Sequence, residues 1–214
     1  WARSRGLGDV YKRQDLIINI SASPFRENKF KDRVNLVRSK VNEIKIPFLY
    51  CNLVGAQDEL VFDGSSFALD KNGNCISHSK SFEEDILYTD IESYSKKHIK
   101  YATKCEDLFN ALCLGIKDYF EKTKNKEAVI GLSGGIDSAV VACIASYALG
   151  NKSVYGVSMP SKFSSEHSKF DAEELAKNLN INYQSIFIQN IVDKLEDELS
   201  ESFSDTPRDV AEEN

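Results

Sequence analysis

Residues 131–138 read Gly-Leu-Ser-Gly-Gly-Ile-Asp-Ser and lie between a strand-like apolar run and a helix-like run of small residues. Gly134 and Gly135 lack the Cβ that would keep the backbone away from an anion, so amide groups can converge on it at the start of the helix. Two serines add hydroxyl donors. Asp137 would repel a bound phosphate, which indicates a divalent cation between the two. The segment therefore predicts binding of ATP with Mg²⁺.

This segment contains no lysine, so it differs from a Walker A loop, which sets a lysine against the β and γ phosphates. It resembles instead the Ser-Gly-Gly-x-Asp-Ser loop of the ATP pyrophosphatases, which split ATP between its α and β phosphates. The resemblance implies that Asp137 helps to hold magnesium. The implied ATP-binding residues are Gly131, Leu132, Ser133, Gly134, Gly135, Ile136, Asp137 and Ser138. A glycine-rich strand-to-helix turn without a ligand is the alternative interpretation.

The bulk composition is that of a soluble globular protein with one or two domains. The chain has 214 residues, 42% of them hydrophobic and 28% charged, with a net charge of -6. The negative net charge argues against a nucleic-acid partner. No apolar run approaches the roughly 20 residues that cross a bilayer, and no secretory leader is visible, so we expect no membrane association and a cytoplasmic location.

Cysteine usage points to neither a metal site nor a catalyst. The five cysteines are scattered and lack the paired spacing of a zinc site. We expect most of them to be small buried side chains. Cys51 lies in the apolar run 48–54, where burial would raise the pKa of its thiol and weaken it as a nucleophile. The others are Cys75, Cys105, Cys113 and Cys143.

The first half of the chain alternates strand-like and helical patterns. Residues 15–20 predict a buried strand, 48–54 a second and 82–91 a further one. An Asn-Gly pair between 66–69 and 75–79 predicts a hairpin. One helix is predicted from apolar residues spaced by three and four, with a proline at 47 ending it. They are Phe30, Val34, Val37, Val41 and Ile44.

The second half of the chain has a more regular pattern of predicted strands and helices. A polar linker at 92–100 precedes a helix whose apolar residues are Leu108, Leu112, Ile116 and Tyr119. Strands then alternate with helices, which predicts a parallel sheet with right-handed crossovers in a doubly wound α/β domain. Ligands bind such domains at the carboxyl ends of the strands, where the glycine-rich segment lies. The predicted strands are 128–132, 154–158 and 183–188, and the helices are 137–149, 165–179 and 191–203.

Two groups of motifs resemble a known family. Together with the glycine-rich segment, Val-Ser-Met-Pro-Ser at 157–161 and Ser-Ser-Glu-His-Ser at 164–168 look like the synthetase domain of the NAD synthetases. Residues 19–25 and 52–64 are similar to the back half of the nitrilase-like amidase domain that is fused to it in the glutamine-hydrolysing form. The fold implied is an α-β-β-α amidase domain followed by a doubly wound ATP-pyrophosphatase domain.

The resemblance also implies domain boundaries. Residues 15–92 would be the C-terminal part of the amidase domain, 93–126 a linker and helix, and 127–214 the N-terminal part of the synthetase domain. Residues 1–14 look like translated adapter sequence. The chain is therefore expected to be a fragment with little activity alone. The amidase cysteine, glutamate and lysine would precede residue 15, so no catalytic residue is assigned.

In this family, ATP activates the carboxylate of deamido-NAD as an AMP ester, and ammonia from glutamine displaces AMP to give NAD⁺. The resemblance implies that Ser23 and Lys29 contact glutamine and that Asn214 lies near deamido-NAD. For Ser23 a turn hydroxyl, and for Lys29 a solvated charge, are the alternatives. The parent enzyme is expected to be a homo-oligomer.

Two other functions are open. A different ATP pyrophosphatase, acting in tRNA thiolation or GMP synthesis, would share the loop. A thiolating enzyme should have a basic surface and cysteine pairs, and this chain has neither. The second alternative is a non-catalytic nucleotide-binding module, which would bind ATP without releasing pyrophosphate.

Overall fold

The computed structural model describes residues 14–92 and 96–199. The chain divides into two units, residues 1–119 and 120–214, and each has its own core. The predicted adapter-like segment and Asn214 lie outside the described residues, apart from Gln14. Among the described residues, no helix combines the length and apolar character needed to cross a bilayer.

The first unit is built on a mixed sheet of four strands in the order β1 (Ile17–Ser21), β2 (Phe48–Asn52), β5 (Phe67–Leu69) and β6 (Cys75–His78). β1 and β2 are parallel, from Ile17 opposite Phe48 to Ser21 opposite Asn52, so their carboxyl ends lie side by side. β5 and β6 continue the sheet antiparallel, and β3 with β4 forms a separate hairpin. The hairpin strands are β3 (Val54–Gln57) and β4 (Leu60–Asp63), and the helix of this unit between β1 and β2 is α1 (Lys29–Ile44).

Helix α1 covers one face of this sheet, as its predicted apolar stripe requires. Val34, Val37 and Val41 are buried against side chains of β2, β5 and β6. The helix ends at Ile44 because Lys45 adopts a left-handed conformation with φ of 60° and its amide closes the last turn on Val41. The predicted helix is confirmed, and it stops ahead of the proline.

The predicted hairpin between β5 and β6 is also confirmed. Its turn is closed by Asp70, which accepts hydrogen bonds from the amides of Asn72 and Asn74, both at 2.8 Å, and from Asn74 Nδ2 at 2.9 Å. Partial burial pushes the pKa of the Asp70 carboxyl upward, but the bonds from Asn74 and Asn72 outweigh it and hold that pKa below its ordinary value of 3.8.

Two strand predictions in this unit need correction. Residues 82–91 form no strand, and only Ser81 makes an isolated bridge, to Gly64. Charged residues interrupt this run, and its Tyr88 is 91% exposed, so no buried face holds it to a sheet. The predicted strand 48–54 ends at Asn52, because the chain leaves the main sheet at Leu53 and enters the β3–β4 hairpin.

The second unit carries a parallel three-stranded sheet in the order β7-β8-β9. The predicted alternation of strands and helices is confirmed as far as residue 199, with the last strand ending at Ser185. A helix that crosses from the first unit, α2 (Lys104–Thr123), precedes the sheet. The elements that follow are β7 (Ala128–Gly131), α3 (Ile136–Leu149), a short 3₁₀ helix (Asn151–Ser153), β8 (Val154–Ser158), α4 (Glu166–Leu179), β9 (Asn182–Ser185) and α5 (Gln189–Leu199).

Alanines let two helices approach one face of this sheet closely. Ala142 of α3 and Ala172 and Ala176 of α4 form one buried cluster with Leu132. Val129, on the opposite face of β7, is 73% exposed. The described helices α3 and α4 thus share a face. The predicted α/β class is confirmed, with a mixed sheet in the first unit and a parallel sheet in the second.

Candidate functional site

The glycine-rich segment lies at the carboxyl end of β7, where the sequence predicted it. Leu132 anchors the segment: its side chain is only 2% exposed and its amide donates to the Val157 carbonyl at 2.8 Å. Gly135 then precedes α3, which begins at Ile136. Leu132 therefore offers a ligand only its carbonyl, whereas the residues after it are accessible.

The two glycines of the segment serve different purposes. Gly134 has a φ of +82°, and a Cβ there would lie 2.2 Å from the carbonyl oxygen of Ser168 and 2.7 Å from its Cα. The space beside Gly134 is therefore filled by the backbone of α4. A Cβ on Gly135 would meet only Ser133 Oγ, at 3.2 Å. The predicted close approach to an anion fits Gly135, while Gly134 is required for packing of the loop on α4.

Both predicted hydroxyl donors are engaged inside the loop. Ser138 Oγ donates to the Gly135 carbonyl at 3.0 Å, and Ser133 Oγ accepts from the Gly135 amide at 3.1 Å. The two hydroxyls lie 3.2 Å apart, so Ser133 donates to Ser138. These bonds fix the loop, and they use the amides of Ser133 and Gly135 inside it.

Several backbone amides at the start of α3 donate no hydrogen bond to another described residue. Within the described part of the chain, no hydrogen bond uses the N–H of Gly134, Ile136, Asp137 or Ser138. The Asp137 carboxylate is exposed and likewise has no partner among those residues. Free amides and the positive end of the α3 dipole make this position suited to an anion.

The neighbouring helix α4 begins with an ordinary capping arrangement. Ser165 Oγ accepts from the Ser168 amide at 3.1 Å. The Lys169 ammonium donates to Glu166 at 2.8 Å and holds the pKa of that exposed carboxyl below its ordinary value. Glu166 is thus a surface partner of Lys169.

The second predicted pair, Ser23 and Lys29, lies in the first unit. Ser23 follows β1 and Lys29 is the first residue of α1, and both line a cavity of about 190 Å³. No hydrogen bond or ion pair to another described residue uses the Ser23 hydroxyl or the Lys29 ammonium. The structure therefore brings the predicted pair together and leaves its polar groups available.

Sequence reasoning missed the polar residues behind Ser23. Arg33 is 5% exposed and pairs with Asp63, which is 2% exposed, through two hydrogen bonds. Arg33 Nε and Asn19 Oδ1 are buried without hydrogen-bond partners within the described residues, and both residues line the same cavity. The sequence does contain a signal for them, because Arg33 falls on the apolar face of α1, where an arginine needs a buried partner.

The cysteines differ from expectation. Cys51 is exposed rather than buried, because its side chain faces away from the α1 side of the sheet, and Cys105 is exposed too. Burial raises the pKa of the Cys75 and Cys113 thiols, the two cysteines that are buried. Within the described residues, no group of three or more His, Cys, Asp or Glu could hold a metal ion.

The fold and the loop together define an α/β protein with a glycine-rich loop at the carboxyl edge of a parallel sheet. The model of the NAD synthase family matches residues 108–214, which is half of the chain and contains this loop. The chain belongs to the NAD synthase family.

Individual relatives agree with this assignment. A glutamine-dependent NAD(+) synthetase from Synechocystis is 42% identical over 94% of this chain, and one from Aquifex aeolicus is 35% identical over 94%. A solved glutamine-dependent NAD+ synthetase from Acinetobacter baumannii, in complex with ADP, is 30% identical, with a TM-score of 0.87 over 96% of this chain. The chain spans about two-fifths of the length of these relatives, 37%, 42% and 40% respectively.

Proposed function

We propose that the whole protein is a glutamine-dependent NAD⁺ synthetase, which uses ATP to amidate deamido-NAD with ammonia released from glutamine. The main support is the loop after β7, where amides at the start of α3 donate no hydrogen bond to another described residue. This loop lies inside the region that matches the family. The names of the relatives, which the chain resembles over most of its length, support the choice of glutamine as nitrogen donor.

Residues 131–138 would bind ATP in this scheme. A carboxylate is a poor electrophile, so its conversion to an AMP ester supplies a leaving group for ammonia. The amides of Ile136 and Asp137 would stabilise the negative charge that develops on pyrophosphate, because fixed dipoles need no reorganisation as the bond breaks. The bonds between Ser133, Gly135 and Ser138 keep those amides in position before ATP arrives.

The residues present fit a magnesium ion. Mg²⁺ usually takes one or two carboxylates and completes its shell with phosphate oxygens and water. Asp137 is exposed and without a partner among the described residues, so it can supply that carboxylate. When bound, the ion would neutralise phosphate charge. Asp137 would hold it, and the amides beside Asp137 would bind the remaining phosphate oxygens.

The first unit would belong to the glutaminase half. We propose residues 15–92 as part of a nitrilase-like amidase domain, 93–126 as the connection and 127–214 as part of an ATP-pyrophosphatase domain. Ser23 and Lys29 would bind glutamine in their shared cavity, which is supported by their free hydroxyl and ammonium. No amidase catalyst is assigned to this chain. Asn214, outside the described residues, would contact deamido-NAD.

Calorimetric titration of the complete gene product with ATP tests the nucleotide site. We expect binding that strengthens when Mg²⁺ is added, and we expect Asp137→Asn to lose about tenfold in affinity with Mg²⁺ present, since one charge-assisted contact contributes roughly 1.4 kcal/mol. Glu166→Gln is the matched control, an exposed acid at the first turn of the next helix, and should bind normally. An indifferent response to ATP at millimolar Mg²⁺ would refute the proposal.

Activity is tested on the complete gene product. We expect pyrophosphate release only when deamido-NAD is supplied, and NAD⁺ formation with either glutamine or ammonium as nitrogen source. Pyrophosphate release that requires xanthosine monophosphate or tRNA instead would assign the protein to a different ATP pyrophosphatase. ATP binding without any pyrophosphate release would favour a non-catalytic module.

A further inference from the structure

The backbone of Ser23 is held from both of its sides by buried side chains. Asn52 Oδ1 accepts from the Ser23 amide at 2.8 Å, and Asn52 Nδ2 donates to the Ser23 carbonyl at 3.3 Å. Arg33 Nη1 donates to the same carbonyl at 3.4 Å. Because all three bonds go to the backbone, residue 23 is fixed while its hydroxyl stays available to a ligand.

Asp63 ties these two side chains together. Its Oδ1 accepts from Arg33 Nη1 at 2.9 Å and from Asn52 Nδ2 at 3.4 Å, and its Oδ2 accepts from Arg33 Nη2. The Arg33 guanidinium also lies 5.9 Å from the ring centres of Phe30 and Tyr50, which restricts it further. Residues from α1 and β2 thus converge on a single loop residue, and Asp63 of β4 joins them behind it.

A buried ion pair of this kind is a poor source of stability, because the desolvation of both charges offsets most of their attraction. The position of Arg33 in this pair also affects the spacing between Ser23 and α1. Arg33 lies one helical turn after Lys29 on α1, so the bond from Arg33 to the Ser23 carbonyl sets the distance between Ser23 and the start of α1. The two groups proposed to bind glutamine are therefore held in register by Arg33.

We infer that Arg33, supported by Asp63 and Asn52, is a positioning residue for glutamine: it fixes Ser23 relative to Lys29 and so sets the affinity for glutamine without affecting the use of free ammonia. The inference depends on the proposed function, in which Ser23 and Lys29 contact glutamine. It assigns the triad Arg33–Asp63–Asn52 a role in the glutaminase half alone.

The test is steady-state kinetics of the complete gene product with glutamine or ammonium chloride as nitrogen source. Arg33→Lys keeps the charge but loses the paired hydrogen bonds, and we expect its KM for glutamine to rise by about tenfold or more. Its kcat and KM with ammonium should stay within about twofold of the parent. Asn52→Ala, which leaves the pair between Arg33 and Asp63 intact, should raise the glutamine KM in the same selective way.

Arg38→Lys is the matched control. Arg38 lies on the same helix and donates from Nε to a backbone carbonyl, that of Gly73 at 3.0 Å, but has no bond to Ser23. Its glutamine KM should equal that of the parent. An unchanged glutamine KM in Asn52→Ala, or an equal loss with both nitrogen sources, would overturn the inference. A parent protein that uses neither source would instead refute the proposed function, and Asn52→Ala decides the matter if Arg33→Lys fails to fold.

Discussion

Replacement of Gly134 by alanine should destabilise the second unit, which carries the glycine-rich loop. A non-glycine residue at a φ of +82° costs about 1–2 kcal/mol. The new Cβ would also lie 2.2 Å from the Ser168 carbonyl oxygen, so the loop or α4 must move by roughly 1 Å, and overpacking of this kind costs about 1–3 kcal/mol. Reduced freedom of the unfolded chain returns about 0.4–1 kcal/mol. These contributions sum to a net loss of about 1–4.6 kcal/mol.

Two other glycines separate these contributions. Gly150 has a φ of +85° with no atom within 4 Å of an added Cβ, so Gly150→Ala measures the backbone cost alone and should lose about 1 kcal/mol. Gly135 has a φ of −88°, and an added Cβ would approach only the movable Ser133 hydroxyl. Gly135→Ala should stay within about 0.5 kcal/mol of the parent.

Urea denaturation followed by circular dichroism measures the three variants, and hydrogen exchange at the amides of α4 reports the unit concerned. Gly134→Ala should exchange faster throughout α4, since the helix must separate from the loop. If Gly134→Ala and Gly150→Ala were equally stable, the contact between Gly134 and Ser168 would contribute nothing, and the packing role assigned to this glycine would be refuted.

Three further predictions concern other parts of the fold. Ser165→Ala should lose about 1 kcal/mol in urea denaturation because the Ser168 amide loses its cap, and an unchanged midpoint would contradict this. Asp70→Ala should lose about 1 kcal/mol at pH 7, where the carboxylate accepts its turn hydrogen bonds. Since the folded-state pKa of Asp70 is lowered, its contribution is present above pH 3.8 and disappears as the pH falls through the folded-state value, so parent and variant should converge in acid. A gap that persisted in acid would exclude the carboxylate as its origin. Phe67→Ala should lose about 3–5 kcal/mol of unfolding free energy, because this ring is 2% exposed in the core of the first unit. Thermal denaturation followed by circular dichroism measures the loss, and a clearly smaller value would contradict the prediction.

The packing of Gly134 explains why two separate motifs occur together in this chain. Ser168 closes the run 164–168, and its amide is capped by Ser165 while its carbonyl lies where a Cβ on Gly134 would be. The loop after β7 and the first turn of α4 are therefore one packed assembly. A change in either motif should therefore alter the position of the other, and with it the positions of the amides at the start of α3.

The local elements of this protein follow from its sequence. The apolar spacing of α1 and the Asn-Gly turn between β5 and β6 each depend on residues within a few positions of one another, and both predictions are confirmed. The alternation of strands and helices after residue 127 likewise determined a parallel sheet with the glycine-rich loop at its carboxyl edge.

Tertiary contacts decided the features that local patterns do not encode. The pairing of Arg33 with Asp63 joins residues 30 positions apart, and the contact of Gly134 with α4 depends on how that helix crosses the loop. The exposure of Cys51 depends on which face of the sheet α1 covers. The sequence by itself determined the helices, most of the strands and the position of the glycine-rich loop. Only the tertiary structure decided which polar groups are hydrogen-bonded within the protein and which stay available to a ligand. The physical reason is that packing brings together hydrogen-bond partners that are distant in the sequence.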